Sequence, residues 1–222
     1  MTRLLATAAA IVVMGGGGYW YFTQDAGTAT AQSAASEDSA MASAAGDGLV
    51  VDMSIGDPDA PVTVIEYASF TCPHCQTFHE GAFKDLKKDY IDTGKVNFVF
   101  REVYFDRPGL WAGMVARCGG PDRYFGIVDE LFRQQQVWAR ASTAEAIASE
   151  LRKIGLTAGL EPETLEACLS DAEKAQAMVD AYETNAATHG IRSTPSFVIN
   201  GTTHNNMNYA DFSRLIDDEI GS

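Results

Sequence analysis

The sequence predicts an α/β core interrupted by a helical insertion, and three observations carry that reading. A β-branched, mostly apolar run, Val62-Thr63-Val64-Ile65-Glu66-Tyr67, is followed by a helical stretch and a second such run, Val96-Asn97-Phe98-Val99-Phe100. Between about Asp106 and His189 the pattern becomes helical. Beyond that block Phe197-Val198-Ile199 returns as a strand, and Asn200-Gly201 supplies a tight hairpin turn.

The elements follow in chain order. After Met1-Thr2-Arg3, the uncharged run Leu4 to Phe22 would span about 28 Å as a helix, close to the hydrocarbon thickness of a bilayer. It ends in Tyr19-Trp20-Tyr21, residues suited to a membrane interface. No Lys or Arg occurs between Arg3 and Lys84, so the positive-inside rule leaves the N-terminus in the cytoplasm and sends the rest across the membrane. Residues 1–22 are therefore a signal anchor, or a signal peptide removed near Ala29-Thr30-Ala31. Residues 23–48, rich in Ala, Ser, Gly and Thr without periodic large apolar residues, read as a disordered linker.

Order is expected from Leu49, with a short strand and the turn-rich Gly56-Asp57-Pro58-Asp59-Ala60-Pro61. The run Val62 to Tyr67 suits a central strand buried on both faces. A helix from Pro73 to about Tyr90 then leads to the strand at Val96, which implies a parallel pair with a right-handed crossover. In the block 106–189, Gly119-Gly120 ends one helix, and Ser142 with Glu145 and Ser170 with Glu173 form capping boxes. Pro162 suits a first helical turn, Trp111 and Trp138 serve helical packing, and Tyr209 to Ile220 closes the chain as a helix. The core domain is thus 49–105 with 190–222, and 106–189 is the insertion.

With 46% apolar residues in 222, the chain can bury one sizeable core without cysteine staples. A net charge of -14 leaves no basic surface to displace counterions from phosphates, which excludes nucleic acid as a partner. The acidity is that of a solvated surface, with a preference for basic clients or high salt as alternatives.

The chemistry concentrates in Cys72-Pro73-His74-Cys75. In an exported protein such a dithiol can cycle, whereas in the cytosol the spacing would more often suggest zinc. A strand ends at Cys72 and a helix starts there, so this sulfur meets helix N–H groups and the positive end of the dipole. Pro73 has no N–H to lose at the first helical position, and a protonated His74 would add a charge beside the thiolate. A thiolate so stabilised is also a good leaving group, which favours the reduced form and makes the disulfide oxidising. Cys75, one turn along and facing inward, is the resolving thiol. Gln76 rather than His follows Cys75, which argues against haem attachment, and no second cysteine pair is spaced to complete a zinc site.

Distant residues support a redox centre. Glu66, six residues before Cys72 on an apolar strand, is costly unless hydrated or coupled to proton transfer. An edge position facing water is its alternative. Thr194-Pro195 precedes a strand, and reads as a cis bond beside the dithiol or as an ordinary trans proline at a strand start. His79, His189 and His204 read as surface or satisfied histidines. Cys118 and Cys168 are expected to pair as a structural disulfide across a span of 50 residues, worth about 4 kcal/mol in chain entropy; separately buried thiols and a regulatory pair are the alternatives.

The stretches GDPDAPVTVIEYASFTCPHC and STPSFVINGT, in this order around a helical insertion, resemble the DsbA-type thiol:disulfide oxidoreductases of the thioredoxin superfamily. The resemblance covers residues 49 to 222. It implies a thioredoxin-like fold with Cys72 as nucleophile, His74 tuning it and Cys75 resolving, while Thr194 and cis-Pro195 shape the client-binding edge. No cofactor is implied. Implied partners are reduced exported proteins and a quinone-linked membrane oxidase of the DsbB type as reoxidant, in a bacterial periplasm, with the chain acting as a monomer. The pair Cys118 and Cys168, and HNNMNYADF after the hairpin, depart from the simplest family pattern. A reductase or isomerase of the same fold, and a tethered binding protein with an inert dithiol, remain the competing readings.

Overall fold

The computed structural model describes residues 50–221, so the expected anchor and linker lie outside the described residues. Strand β2 (Val62–Ala68) occupies the middle of a five-stranded sheet ordered β1-β3-β2-β4-β5. Its companions are β1 (Met53–Ile55), β3 (Val96–Glu102), β4 (Ser196–Ile199) and β5 (Thr202–Asn205). The β2 and β3 strands run parallel with Glu66 opposite Phe100, as the crossover argument requires, and β4 lies antiparallel on the other side with Phe197 opposite Glu66. Edge strands β1 and β5 are both antiparallel to their neighbours.

The period of two along β2 separates two faces. Val62, Val64 and Ala68 enter the main core with Phe98, Phe100 and Phe212. Tyr67, one position out of phase, joins Val103 and Val198 on the opposite face, flanked by Ile65 and Tyr182. The hairpin between β4 and β5 is the expected tight turn: Asn200 (φ 43°) and Gly201 (φ 87°) both take positive φ, as a type I′ turn demands. Asn200 also accepts the Thr63 N–H at 2.9 Å and so ties the turn to β2.

The expected long helix after β2 is broken. It divides into α1 (Pro73–Glu80), α2 (Ala82–Leu86) and a π-helical turn, Lys87–Ile91. The break falls at Gly81, whose N–H still reaches the carbonyls of Thr77 and Phe78 at 3.2 Å each. The chain therefore bends without orphaning a donor, and glycine gives up only about 1 kcal/mol of helix propensity relative to alanine there.

Between β3 and β4 come α3 (Arg107–Cys118), α4 (Gly120–Arg133), α5 (Gln135–Trp138), α6 (Ala144–Thr157), α7 (Pro162–Ser170) and α8 (Ala172–Thr188); α9 (Tyr209–Ile220) follows β5. Gly119 separates α3 from α4, and Pro162 opens α7. Both expected capping boxes are displaced by one residue. The caps are Thr143, accepting from Ala146 N–H at 3.1 Å, and Asp171, accepting from Lys174 N–H at 2.8 Å. Each follows a serine that could also have capped, and Ser170 instead closes α7 by donating its hydroxyl to the Glu166 carbonyl at 2.6 Å. Among the described residues no helix is long and apolar enough to cross a membrane.

A buried ion pair fastens the insertion to the sheet. Arg117 of α3 donates to both oxygens of Glu102 at 2.7 and 2.5 Å, and the Tyr124 hydroxyl of α4 donates to the same carboxylate at 2.7 Å. The adjacent Cys118 is joined to Cys168 of α7, with 5.9 Å between their Cα atoms. Replacing Arg117 by Met strands the Glu102 charge in the interior, so urea unfolding of R117M should show a loss of about 3 kcal/mol; a loss below about 1 kcal/mol would mean the pair is not buried as described.

Candidate active site

Strand β2 runs out at Ala68, and the chain turns through Ser69-Phe70-Thr71 onto the head of α1. Cys72 is the N-cap residue of that helix, with extended backbone (φ −81°, ψ 120°), and Pro73 takes the first turn. The turn is closed by Cys72 N–H to the Ser69 carbonyl at 3.1 Å, and α1 begins with Gln76 N–H to the Cys72 carbonyl at 3.2 Å. Cys72 is half-buried, His74 is exposed and Cys75 is buried; both cysteines are free thiols.

The two sulfurs differ sharply in acidity. Hydrogen bonding from the Cys75 thiol, helped by the Thr194 side chain and the N–H groups of Cys75 and His74, holds Cys72 down to about 5 from the usual 9.0 in spite of partial desolvation. Burial, reinforced by the neighbouring Cys72 and by the charge of Glu66, pushes Cys75 far up instead. His74 thus acts on Cys72 through its backbone N–H, while its imidazole faces solvent. The Thr194-Pro195 bond is cis, and the Thr194 carbonyl lies 3.4 Å from Cys72 Sγ.

Glu66 is fully buried beneath this dithiol rather than at a wet edge. Desolvation raises its pKa, against the opposing pull of His79. His79, read from the sequence only as a surface or satisfied histidine, is the partner, with Nε2 2.8 Å from Glu66 Oε2. Its position four residues after Cys75 was the available signal, since that spacing puts both on one helix face. His189 bonds the Tyr67 hydroxyl on the other face of the sheet at 2.6 Å, and His204 lies on β5.

Gln135 carried no sequence signal at all. It is buried, and its Nε2 donates to the carbonyls of Phe70 and Cys72 at 2.8 and 2.9 Å, so a side chain of the insertion grips the loop that presents the sulfur. Thr71 makes a second tie, donating at 2.7 Å to Asp106, whose other oxygen caps α3. Beside α1 lies a groove of about 290 Å³ lined by His74, Phe78, Ala82, Asn206, Met207 and Tyr209. The segment after the hairpin therefore shapes the surface next to the dithiol. Among the described residues no group of three or more His, Cys, Asp or Glu side chains is placed to hold a metal ion.

A thiol of low pKa at the N-cap position of a helix, a buried second thiol and a cis-proline beside them thus meet at the end of the central strand. The Thioredoxin family profile matches residues 49–218. The crystal structure of Wolbachia pipientis alpha-DsbA1 superposes with a TM-score of 0.71 at 30% identity, covering 77% of this chain and 91% of that one. This chain belongs to the DsbA-type branch of the thioredoxin superfamily. Within that branch, oxidised BdbD from Bacillus subtilis gives a TM-score of 0.67 at 27% identity, covering 77% of this chain and 94% of its own. A Rickettsia bellii protein named as a protein-disulfide oxidoreductase is 34% identical over 172 residues, which make up 76% of this chain and 64% of that relative. The match thus spans under two thirds of the rickettsial protein.

Thiolate absorbance near 240 nm should rise with a midpoint at about pH 5 in the reduced protein. The Cys72→Ala variant should show no such rise below pH 9, because Cys75 stays protonated there; a midpoint above about pH 8, the range of a free thiol, would contradict the site as described.

Proposed function

We propose that the chain is a thiol:disulfide oxidoreductase that donates the Cys72–Cys75 disulfide to reduced exported proteins. The observation that carries this reading is the split in acidity between the two sulfurs. A client thiolate attacks Cys72 Sγ, the S–S bond breaks, and its electron pair leaves on Cys75, which takes up a proton. A second client thiolate then attacks the client sulfur of the mixed disulfide and expels Cys72 as a thiolate. The client has lost two electrons and the dithiol holds them. Because expulsion of Cys72 completes each transfer, its stability as an anion favours the forward direction.

The remaining parts fit around this step. Glu66 serves proton transfer to and from Cys75, and Thr194 with Pro195 forms the edge on which an extended client segment lies, continued by the groove at Met207 and Tyr209. Reoxidation falls to a quinone-linked membrane oxidase of the DsbB type. The site of action is the periplasm, reached through residues 1–22 as anchor or cleaved signal, with the chain working as a monomer. Cys118–Cys168 is structural in this reading, a cross-link within the insertion.

The reduction potential measured against glutathione should lie nearer the −120 mV of a strong dithiol oxidant than the roughly −270 mV of a reductase. Cys75→Ala should accumulate client adducts through Cys72 in extracts of exported proteins. A reductase-like potential would turn the reading toward reduction or isomerisation, and an absence of adducts would favour a binding protein with an inert dithiol.

A further inference from the structure

The Glu66 carboxylate is held from one side only. Oε2 lies 2.8 Å from His79 Nε2, whereas Oε1 has no hydrogen-bond partner among the described residues although the side chain is fully buried. An unpartnered carboxylate oxygen in an apolar interior is costly. The imidazole itself sits in an aromatic cage, its ring centroid 4.3 Å from Phe132 in a stacked arrangement and 4.7 Å from Phe83. Both partners are shielded from bulk solvent, since Glu66 and His79 are all but inaccessible.

Few charges reach this pair. From α1 and its head come His79, Cys75 and Cys72; β3 and β4 place Phe100 and Phe197 directly across from Glu66, and α4 offers Phe132. The next ionisable set along that face, Glu102 with Arg117, Tyr104 and Tyr124, is engaged with itself and with the Val51 carbonyl. The charge that can most directly balance Glu66 is therefore the imidazole, while the carboxylate and charge on either sulfur, Cys72 or Cys75, disfavour each other.

We propose that His79 is a positioning residue for the exchange reaction: it fixes Glu66 through Oε2 and supports that carboxylate's charge, leaving Oε1 to exchange a proton with Cys75. When a client opens the disulfide, the electron pair departs on Cys75 and the Glu66 carboxyl proton follows it, leaving a carboxylate bonded to the imidazole. When the disulfide closes, Cys75 returns that proton to Glu66, and its thiolate attacks Cys72 in the mixed disulfide, expelling the oxidant's thiolate. The inference rests on the exchange chemistry proposed above, but its test is independent of the direction in which that chemistry runs.

Reduced full-length protein is mixed with excess oxidised glutathione, and the first-order loss of the Cys72–glutathione adduct, which reports attack by Cys75, is followed by acid quench and mass over pH 5 to 9. His79→Gln keeps a hydrogen-bond donor but cannot carry charge. It should move the inflection of this step upward by about one pH unit and slow it about tenfold at pH 7. Glu66→Gln should remove the inflection, and the double variant should behave as Glu66→Gln alone. An unmoved inflection in folded His79→Gln, or additive effects in the double variant, would overturn the proposal whatever the reduction potential proves to be. Should His79→Gln not fold, 15N resonances of the His79 ring in the wild-type chain decide: a titration that differs between reduced and oxidised protein supports the proposal, and an identical one refutes it.

Discussion

The structure is organised around a single negative charge on Cys72 and the neutrality of Cys75 three residues later. Neither state follows from the cysteines themselves. Strand β2 must end where α1 begins, so that amide N–H groups converge on one sulfur, and the helix must then carry the second sulfur inward, where charge is penalised. Cis-Pro195 brings Thr194 to the exposed flank of Cys72. Gln135 and Asp106 hold the approach loop from the insertion, so the helical block is part of what aims the nucleophile and is more than a lid of sequence between two halves of a sheet.

The same economy of charge extends through the interior. In the main core, rich in phenylalanine, buried polar groups are admitted in hydrogen-bonded sets: Glu102 with Arg117 and Tyr124 on one side. On the far face of the sheet, Tyr67 accepts from Arg101 at 2.9 Å, and Arg101 is clamped by both oxygens of Asp52. Each set joins elements distant in the chain and is completed by further partners, the Val51 carbonyl for Arg117 and His189 with the Asn185 carbonyl for Tyr67, which is what keeps burial of charge tolerable. Among the described residues Glu66 and Asn97 each leave one buried oxygen unpartnered, and of the two Glu66 is the ionisable one, lying under the two sulfurs. A buried, half-satisfied carboxyl group beside the reacting sulfurs is the kind of titratable group that clusters at functional sites.

Much of this was legible in the residues. The apolar run of β2, the CPHC stretch, and Asn200-Gly201 each carry a local requirement that only one conformation meets, and all three lie where their chemistry places them. Gly81 was not legible as a break, because an isolated glycine inside a helical pattern is tolerated as often as it interrupts. The caps slipped by one residue because Ser142-Thr143 and Ser170-Asp171 offer two adjacent cappers each, and tertiary packing chooses between them. The pairing of His79 with Glu66 was half visible in the spacing from Cys75; the strand partner could not be named without the register. Gln135 lies 63 residues from Cys72 in sequence, and nothing in a glutamine among helical residues announces that it will span that separation.

The central claim is that the folded protein prefers the dithiol because it stabilises the Cys72 anion. The sign of the linkage follows from the lowered pKa: the stabilisation is complete above the ordinary thiol value of 9.0, shrinks as pH falls, and is lost on passing about 5. Urea unfolding of the reduced and the oxidised protein, compared across that range, tests it most directly. The reduced form should be the more stable at pH 7, with the difference narrowing toward pH 5. A disulfide form more stable than the dithiol form at pH 7, the behaviour of an ordinary structural cross-link, would contradict the account.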